Sequence, residues 1–191
     1  MATSPSYFAD PPVARFLFGD IRMASFWLLV RIYVGWTWLD AGWHKVQDPR
    51  WVQTGEAILG YWKGAVAIPA AGSPRITFDW YRNLLQLLID TNSHTWFGKL
   101  IAFGETAVGI ALILGAFVGI AAFFGATMNF AFLLAGSTSS NPLLFLLAIL
   151  LMLAWKTAGY YGLDRWLLPL LGTPWQPIPA LRRSEPTASP P

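Results

Sequence analysis

The sequence predicts an all-α integral membrane protein: a four-transmembrane-helix antiparallel bundle with a long loop, containing short amphipathic helices, between the first two spans. The chain has 191 residues, of which 55% are hydrophobic and only 12% are charged. A soluble globular chain carries roughly 25% charged residues, and a soluble domain of this size leaves about a third of its extended-chain surface in water. Because the apolar residues also fall into four long runs, a water-soluble globule and a mostly disordered chain are both excluded.

Composition also excludes several kinds of functional site. The chain has no cysteine, which excludes disulfide scaffolds, iron–sulfur clusters, zinc–cysteine sites and thiol nucleophiles. No other metal-ligand spacing is present, so no metal is expected. The net charge of +3 is small and scattered, so nucleic acid is not an expected partner. The expected partners are the lipid bilayer and other membrane or peripheral subunits, or a second copy of the chain.

Each apolar run is long enough to cross a hydrocarbon layer of about 30 Å at a rise of about 1.5 Å per residue. The links at 115–116 and 137–141 are so short that the last three spans must be antiparallel neighbours. Asn141-Pro142 is a typical helix start. The predicted spans are 23–43, 96–114, 117–136 and 142–160.

The loop 45–95 is nowhere apolar enough to span. Residues 80–90 have leucines at helical spacing, and residues 51–63 are more weakly amphipathic. Gly72-Ser73-Pro74 separates them. We expect two short helices that lie on the membrane surface or cap the bundle. The predicted organisation is an N-terminal flank 1–21, a membrane domain 22–166 and a Pro-rich tail 167–191.

Basic residues near the spans indicate the orientation. The total counts on the two sides are equal, but short flanks weigh more than a long loop. Those flanks carry Arg15, Arg22, Lys156 and Arg165. We therefore expect a multi-pass protein of the cell's inner (cytoplasmic) membrane, with cytoplasmic termini and the long loop on the outer side.

Four polar residues inside the spans are the first candidate catalytic residues: Arg31, Asp40, Glu105 and Asn129. A charge near the bilayer centre costs roughly 2.5–3.5 kcal/mol, so such groups face the bundle interior. Measured as depth in the membrane from the loop side, Asp40, Glu105 and Asn129 lie within about two helical turns of one another. Arg31 lies deeper, but its long side chain can reach Glu105. We expect a buried cluster that opens towards the loop. It is either a clasp between helices or a ligand or proton site.

His44 follows several tryptophans at the end of the first span. It belongs to an interfacial belt, or it is a further catalytic residue that donates or accepts protons at the mouth of the cluster. Bis-histidine haem ligation is poorly supported, because the only other histidine, His94, lies in the loop.

Three stretches resemble the DoxX/DoxD family of small four-span membrane proteins: RIYVGWTWLDAGWHKV (31–46), FGETAVGIALILG (103–115) and STSSNPLLFLLAILLMLAWKTAGYYGLDRWL (137–167). In the first span, an arginine is followed near the end of the span by a small residue, a glycine, any two residues and a lysine. The second span contains a Gly-Glu pair. An Asn-Pro before the fourth span and a Gly-x-x-Gly-Leu-Asp exit (159–164) follow. The order of these features carries the resemblance, and the long loop is similar to that of DoxD-like members.

The resemblance implies a membrane subunit of a quinone-linked oxidoreductase of the thiosulfate:quinone type, and leaves open whether this chain is itself an enzyme. It implies quinone as the cofactor. A pocket between the spans would have Trp36, Trp38 and Phe103 as cofactor-binding walls. The family supplies no agreed catalytic residues, so the proton-handling role given to Glu105, helped by Arg31 and Asp40, rests on the burial of charges within the spans. Thiosulfate, an anion, would be drawn to substrate-binding Lys45, Arg50 and Arg82 on the outer face.

Two other functions remain open. The chain can be a non-catalytic accessory or structural subunit of a larger respiratory or photosynthetic membrane complex. A small-solute transporter is less well supported, because no inverted repeat is evident. An open, loop-facing pocket lined by Arg31 and Glu105 favours the oxidoreductase, whereas a closed Arg–Glu clasp favours the accessory subunit.

Overall fold

The structure, a computed structural model, describes residues 10–175. Every regular element in that range is helical, which confirms the predicted all-α class. A π-helical turn (Arg15–Gly19) and a 3-10 turn (Ile21–Met23) lie between the first two helices. The helices are α1 (Pro12–Ala14), α2 (Ala24–Gln47), α3 (Pro49–Val52), α4 (Glu56–Val66), α5 (Asp79–Asp90), α6 (His94–Leu114), α7 (Val118–Leu134), α8 (Asn141–Leu153), α9 (Trp155–Gly159) and α10 (Asp164–Leu170).

The predicted flank and tail fall only partly within the described range. Helix α10 occupies the start of the predicted tail. Residues 1–9 of the flank and 176–191 of the tail lie outside the described residues.

Helices α2, α6, α7 and α8 form the central bundle. The α2–α6 contact is antiparallel, since Gly35 lies against Ile113 and Gly42, further along α2, lies against Thr106. Glycine is required at this contact: a Cβ at Gly42 would lie 2.5 Å from the Thr106 backbone nitrogen. Small residues let two helix backbones approach closely, which fixes the register of this pair.

The predicted fourth span is a broken helix in the structure. α8 ends at Leu153, and α9 begins at Trp155 after a non-helical residue, Ala154. The amide of Ala154 donates to Leu150 at the end of α8, and the amide of Ala158 donates to Ala154 at the start of α9. Thr157 of α9 donates to the carbonyl of Phe18, which places α9 at the end of the bundle where α1 lies. α8 and α9 therefore run from one end of the bundle to the other in two pieces.

The long loop folds over one end of the bundle, called the loop end here; the opposite end, where α1 and α10 lie, is the terminus end. The predicted break at 72–74 falls in a stretch without helix between α4 and α5. Both helices pack on α6 and α7 through a second apolar core that includes Trp62 and Leu85. The Tyr81 hydroxyl donates to the carbonyl of Ala131 in α7 at 2.8 Å, which ties the loop to the bundle.

The outward faces of the long helices carry large exposed apolar side chains. By length and composition, α6 is the one helix in residues 10–175 that could cross a membrane, while α7 and α8 are apolar but shorter. Apolar patches of this extent mark protein or membrane contacts. Exposed examples are Leu29, Trp36, Phe103, Ile120, Phe124, Phe130, Leu146 and Leu153.

Candidate functional site

The structure separates the predicted polar cluster into two sites at opposite ends of the bundle. In the antiparallel register Glu105 lies near Gly42 and Lys45, at the loop end, while Arg31 lies at the terminus end. Arg31 and Lys45 are fourteen residues apart on α2, which is about 21 Å at 1.5 Å per residue. The predicted Arg31–Glu105 pair is therefore not formed.

Lys45, rather than Arg31, is the partner of Glu105. Its Nζ lies 2.5 Å from Glu105 Oε2, and the Glu105 residue is only 1% exposed. The ammonium also lies 3.5 Å from the carbonyl oxygen of Ala41 and 5.2 Å from the centre of the Trp51 ring. Lys45 thus points into the bundle, whereas the sequence predicted that it would attract anions on the outer face.

Asn129 lies near this pair and is completely buried. Neither its Oδ1 nor its Nδ2 has a hydrogen-bond partner, and the Trp38 indole N–H is also unpartnered. Gly125 leaves room for the indole, since a Cβ there would lie 3.1 Å from Trp38 Nε1. A buried polar group without a partner costs about 1–3 kcal/mol, and this cost is removed when water, an ion or another molecule supplies the missing hydrogen bond.

These groups line one cavity of about 290 Å³, called the polar cavity. The link between α7 and α8 supplies several hydroxyl groups to its wall, so it faces the loop end. Trp38 lines it, as predicted for a pocket wall. Its polar and charged lining residues are Thr37, Trp38, Lys45, Trp51, Tyr61, Glu105, Asn129, Ser137, Ser139, Ser140 and Asn141.

Asp40 and His44 lie outside the polar cavity. Both are exposed on the outer side of α2, where His44 Nδ1 lies 2.8 Å from the Asp40 carbonyl oxygen and 3.6 Å from its carboxylate. A helix turns about 100° per residue, so Asp40, nine positions after Arg31, points to the opposite side of the helix. The structure therefore does not bring the predicted catalytic pair Asp40 and His44 to Glu105 and Asn129.

Two of the three predicted cofactor walls also face outwards. Trp36 is 64% exposed and Phe103 is 55% exposed. Phe103 is two positions before Glu105, which is about 200° around a helix. Only Trp38 of the predicted set lines the polar cavity.

The predicted outer cations Arg50 and Arg82 already have carboxylate partners. Arg50 lies 2.8 Å from Asp48, and this pairing lowers the pKa of Asp48. Arg82 lies 2.5 Å from Asp79 and donates to the carbonyl of Ile76 at 2.6 Å. Neither guanidinium lines the polar cavity.

The second polar site, at the terminus end, contains Arg31 and Asp164, whose charges attract one another without a direct salt bridge in the described residues. Arg31 donates to the carbonyls of Leu112 at 2.9 Å and Tyr161 at 3.2 Å. Asp164 was not among the predicted site residues, although it ends the Gly-x-x-Gly-Leu-Asp exit (159–164). Burial raises the pKa of its carboxyl, while two backbone N–H groups and the Arg31 charge act in the opposite direction.

Asp164 caps the start of α7. Its carboxylate accepts from the amides of Phe117 at 2.5 Å and Val118 at 2.9 Å, two donors that the helix itself leaves without partners. A Cβ at Gly115 would collide with the Arg31 guanidinium and with Gly162. The site is closely packed, and protein carbonyls and amides pair with Arg31 Nη1, Arg31 Nη2 and both Asp164 carboxylate oxygens, while Arg31 Nε has no protein partner. Most of its polar groups are therefore used to hold the fold together.

The comparisons with known proteins assign no family. No protein-family model matches the chain, and neither the curated proteins nor the solved structures give a match. Within residues 10–175, no group of three or more His, Asp or Glu side chains is placed to hold a metal ion. The functional assignment therefore depends on the geometry of the polar cavity.

Proposed function

We propose that the chain is the membrane subunit of a quinone-linked oxidoreductase and that the polar cavity binds the quinone ring. The observation that carries this proposal is the Asn129 amide, which is fully buried at the cavity with both polar atoms unpartnered. The adjoining Lys45–Glu105 pair supplies titratable groups at the same cavity.

The proposal includes four crossings of the inner membrane with cytoplasmic termini. The exposed apolar side chains on α2, α6, α7 and α8 support it, because they would otherwise face water. The 17 residues of α7 extend about 25 Å, which a slightly thinned bilayer accommodates. α8 and α9 together supply the last crossing.

Hydrogen-bond donors in the cavity fit the two carbonyl oxygens of a quinone. Trp38 Nε1 and Asn129 Nδ2 are buried donors without an acceptor, and the Lys45 ammonium is a third donor at the same cavity. Asn129 Oδ1, the free acceptor, would accept from a hydroxyl of the reduced ring. The cavity can thus satisfy both oxidation states of one ligand.

The Lys45–Glu105 pair would handle protons. Reduction of a quinone to a quinol takes up two electrons and two protons. The Lys45 ammonium can give a proton to a ring oxygen, and its side chain is 21% exposed, so water at the loop end can restore it. Glu105 would hold the ammonium in position beside the cavity.

The resemblance implies thiosulfate as the electron donor. Two thiosulfate ions joined through a new S–S bond give tetrathionate and release the two electrons that the quinone accepts. Because Arg50 and Arg82 are occupied by carboxylates, the two predicted arginines offer this anion no free charge. We therefore propose that electrons arrive through a partner subunit.

A second candidate function is the non-catalytic accessory subunit. It draws support from α5, whose Trp80, Leu84 and Leu87 side chains are exposed although the helix belongs to the loop. A partner subunit docked on this face would cover them.

A binding experiment tests the proposed function. The full chain, purified in mild detergent, is heated with and without 2,3-dimethoxy-5-methyl-1,4-benzoquinone, a quinone without a tail. Ligand at 100 times Kd stabilises a protein by about 2.7 kcal/mol. We expect that stabilisation in the wild type and in the control Asn83→Leu, an exposed site on α5, but not in Asn129→Leu. The proposal would be contradicted if the quinone stabilised Asn129→Leu as much as the wild type, or if it did not stabilise the wild type at all.

A turnover experiment separates the two candidate functions. Quinol formation with thiosulfate is measured in native membranes that contain the chain and its partners. We expect Glu105→Gln to lower the rate at least tenfold, while Glu56→Gln, an exposed position at the start of α4, leaves it unchanged. Equal rates in both variants would favour the accessory subunit.

A further inference from the structure

A second and larger cavity, called the apolar cavity, lies between α4, α5, α6 and α7. Its volume is about 500 Å³, within the roughly 300–1,000 Å³ range of ligand sites. An apolar cavity of about 150 Å³ is already enough to bind benzene. The wall of the apolar cavity in this protein includes Trp62, Leu85, Leu88, Gly104, Val108 and Met128.

The two cavities adjoin. Tyr61 and Phe132 line both of them, and their rings meet edge to face with centroids 6.1 Å apart. On α6, Gly104 of the apolar cavity directly precedes Glu105 of the polar cavity. The two cavities thus lie on either side of the same turn of α6, with one aromatic pair between them.

The wall of the apolar cavity is suited to hydrocarbon. Its three hydroxyl groups, those of Tyr61, Tyr81 and Thr127, each donate to a backbone carbonyl of α7. Those polar tips are therefore used within the protein, and the remaining side-chain lining is apolar apart from the Trp62 indole N–H. A second polar head would find at most this one side-chain donor, whereas a hydrocarbon chain loses no hydrogen bond on entering.

We propose that the apolar cavity holds the hydrocarbon chain of a molecule whose polar head occupies the polar cavity. This inference rests on the proposed function, since it assigns the ligand's two parts to the two cavities. It defines the ligand class as a single-chain amphiphile with a compact, hydrogen-bond-accepting head. A quinone with an isoprenoid or alkyl tail has this form.

Gly104 allows the apolar cavity to be filled selectively. The nearest atom to a Cβ built at Gly104 is Met128 Sδ, at 3.9 Å, so Gly104→Leu projects into the cavity without a backbone collision. The matched control is Gly60→Leu. A Cβ at Gly60 meets nothing within 4 Å, and Gly60 is exposed on α4.

Three probes are titrated against both variants in the same detergent, with binding measured by thermal stabilisation. They are the tail-less benzoquinone named above, its decyl homologue, and n-decanol, which has a chain but no quinone ring. Partitioning of the chains into micelles is the same for both variants and cancels in the comparison. We expect the decyl homologue to bind Gly104→Leu about tenfold or more weakly than Gly60→Leu, because each methylene kept in water loses transfer free energy. The tail-less quinone should bind both variants equally.

The outcomes distinguish the inference from the proposed function. If the decyl homologue binds both variants equally, the chain does not occupy the apolar cavity and the inference fails, while binding of the tail-less quinone would still support the proposed function. If the tail-less quinone fails to bind either variant but Gly104→Leu weakens decanol binding, the proposed function fails and the apolar cavity remains a chain site. If neither chain probe distinguishes the two variants, the inference is overturned whatever the tail-less quinone does.

Discussion

Arg31 and Asp164 secure the two sides of the turn that joins α6 to α7. Arg31 donates to Leu112 at the end of α6, and Asp164 accepts from Phe117 and Val118 at the start of α7. Their opposite charges attract one another. A fully buried cation and anion therefore satisfy backbone groups that the two helix ends leave open.

Removing the carboxylate should strongly destabilise the fold. Asp164→Ala leaves two backbone donors without partners and Arg31 without its counter-charge, which we expect to lower the free energy of unfolding by about 3–5 kcal/mol. Chemical unfolding in mild detergent measures it. The control Asp90→Ala, at an exposed position, should change stability by about 0.5 kcal/mol or less. Similar effects from both substitutions would refute the capping role.

The Lys45–Glu105 pair should behave as one unit. Lys45→Met leaves a buried carboxylate unpaired and should cost about 3–5 kcal/mol of unfolding free energy, whereas Lys45→Met combined with Glu105→Leu should return to within about 1 kcal/mol of the wild type. Unfolding of both single variants and the double variant gives the coupling energy. The control is the exposed Lys63→Met. Additive losses in the double variant would mean that the two side chains do not interact.

Stability at alkaline pH should depend on Tyr81. Burial raises the pKa of its phenol from 10.0 to about 12, because the neutral hydroxyl donates to Ala131 in an apolar setting. The neutral phenol contributes its full share of the unfolding free energy below about pH 10, the pKa of an unfolded tyrosine. This contribution is lost as the pH rises through about 12. It amounts to up to about 3 kcal/mol, at about 1.36 kcal/mol for each unit of pKa shift.

The measurement is the unfolding free energy between pH 9 and pH 12 for the wild type and Tyr81→Phe. Tyr81→Phe should lose less stability than the wild type over this range. Parallel curves for the two proteins would show that burial does not shift the ionisation of Tyr81.

The close α2–α6 contact should reject a methyl group. Gly42→Ala places a Cβ against the Thr106 backbone, and overpacking of this kind costs about 1–3 kcal/mol. Gly60→Ala, in open space, should instead stabilise its helix by about 0.5–1 kcal/mol. Opposite signs in thermal unfolding would confirm the register, and equal signs would refute it.

Local sequence signals were sufficient to predict the long helices of the bundle, but not the break in the fourth span or helix α10. Apolar runs indicated α6, which extends from His94 to Leu114 against a predicted 96–114, and its end lies at Gly115, in the predicted turn. These signals depend on neighbours in sequence: hydrophobicity over a window, a glycine with positive φ, and a proline at a helix start. The break at Ala154 carries no comparable signal.

Side-chain partners were less predictable, because depth alone does not determine which way a residue points. Arg31, Trp38 and Lys45 are seven positions apart and share one face of α2, since seven residues make nearly two full turns. That spacing could have identified Lys45 as an inward cation. Asp40, nine positions after Arg31, falls on the opposite face. Angular position, added to depth, would have excluded the outward residues from the site.

The Asp164 cap could not be read from local sequence. Its acceptor role depends on Phe117, 47 positions earlier in the chain, and ordinary helix caps are formed within a few residues. Only packing of the whole bundle brings α10 to the start of α7.

The layer between Lys45 and Arg31 has a consequence for charge movement. In the part of the chain that the structure describes, the bundle interior at this level consists of apolar side chains and glycines, with the Trp38 indole as its polar group; examples are Val34, Gly35, Val108, Gly109, Leu112, Ala122 and Ala148. Dry packing of this kind gives protons no relay. If the polar cavity is the quinone site proposed above, the protons for its reduction would therefore enter and leave at the loop end alone.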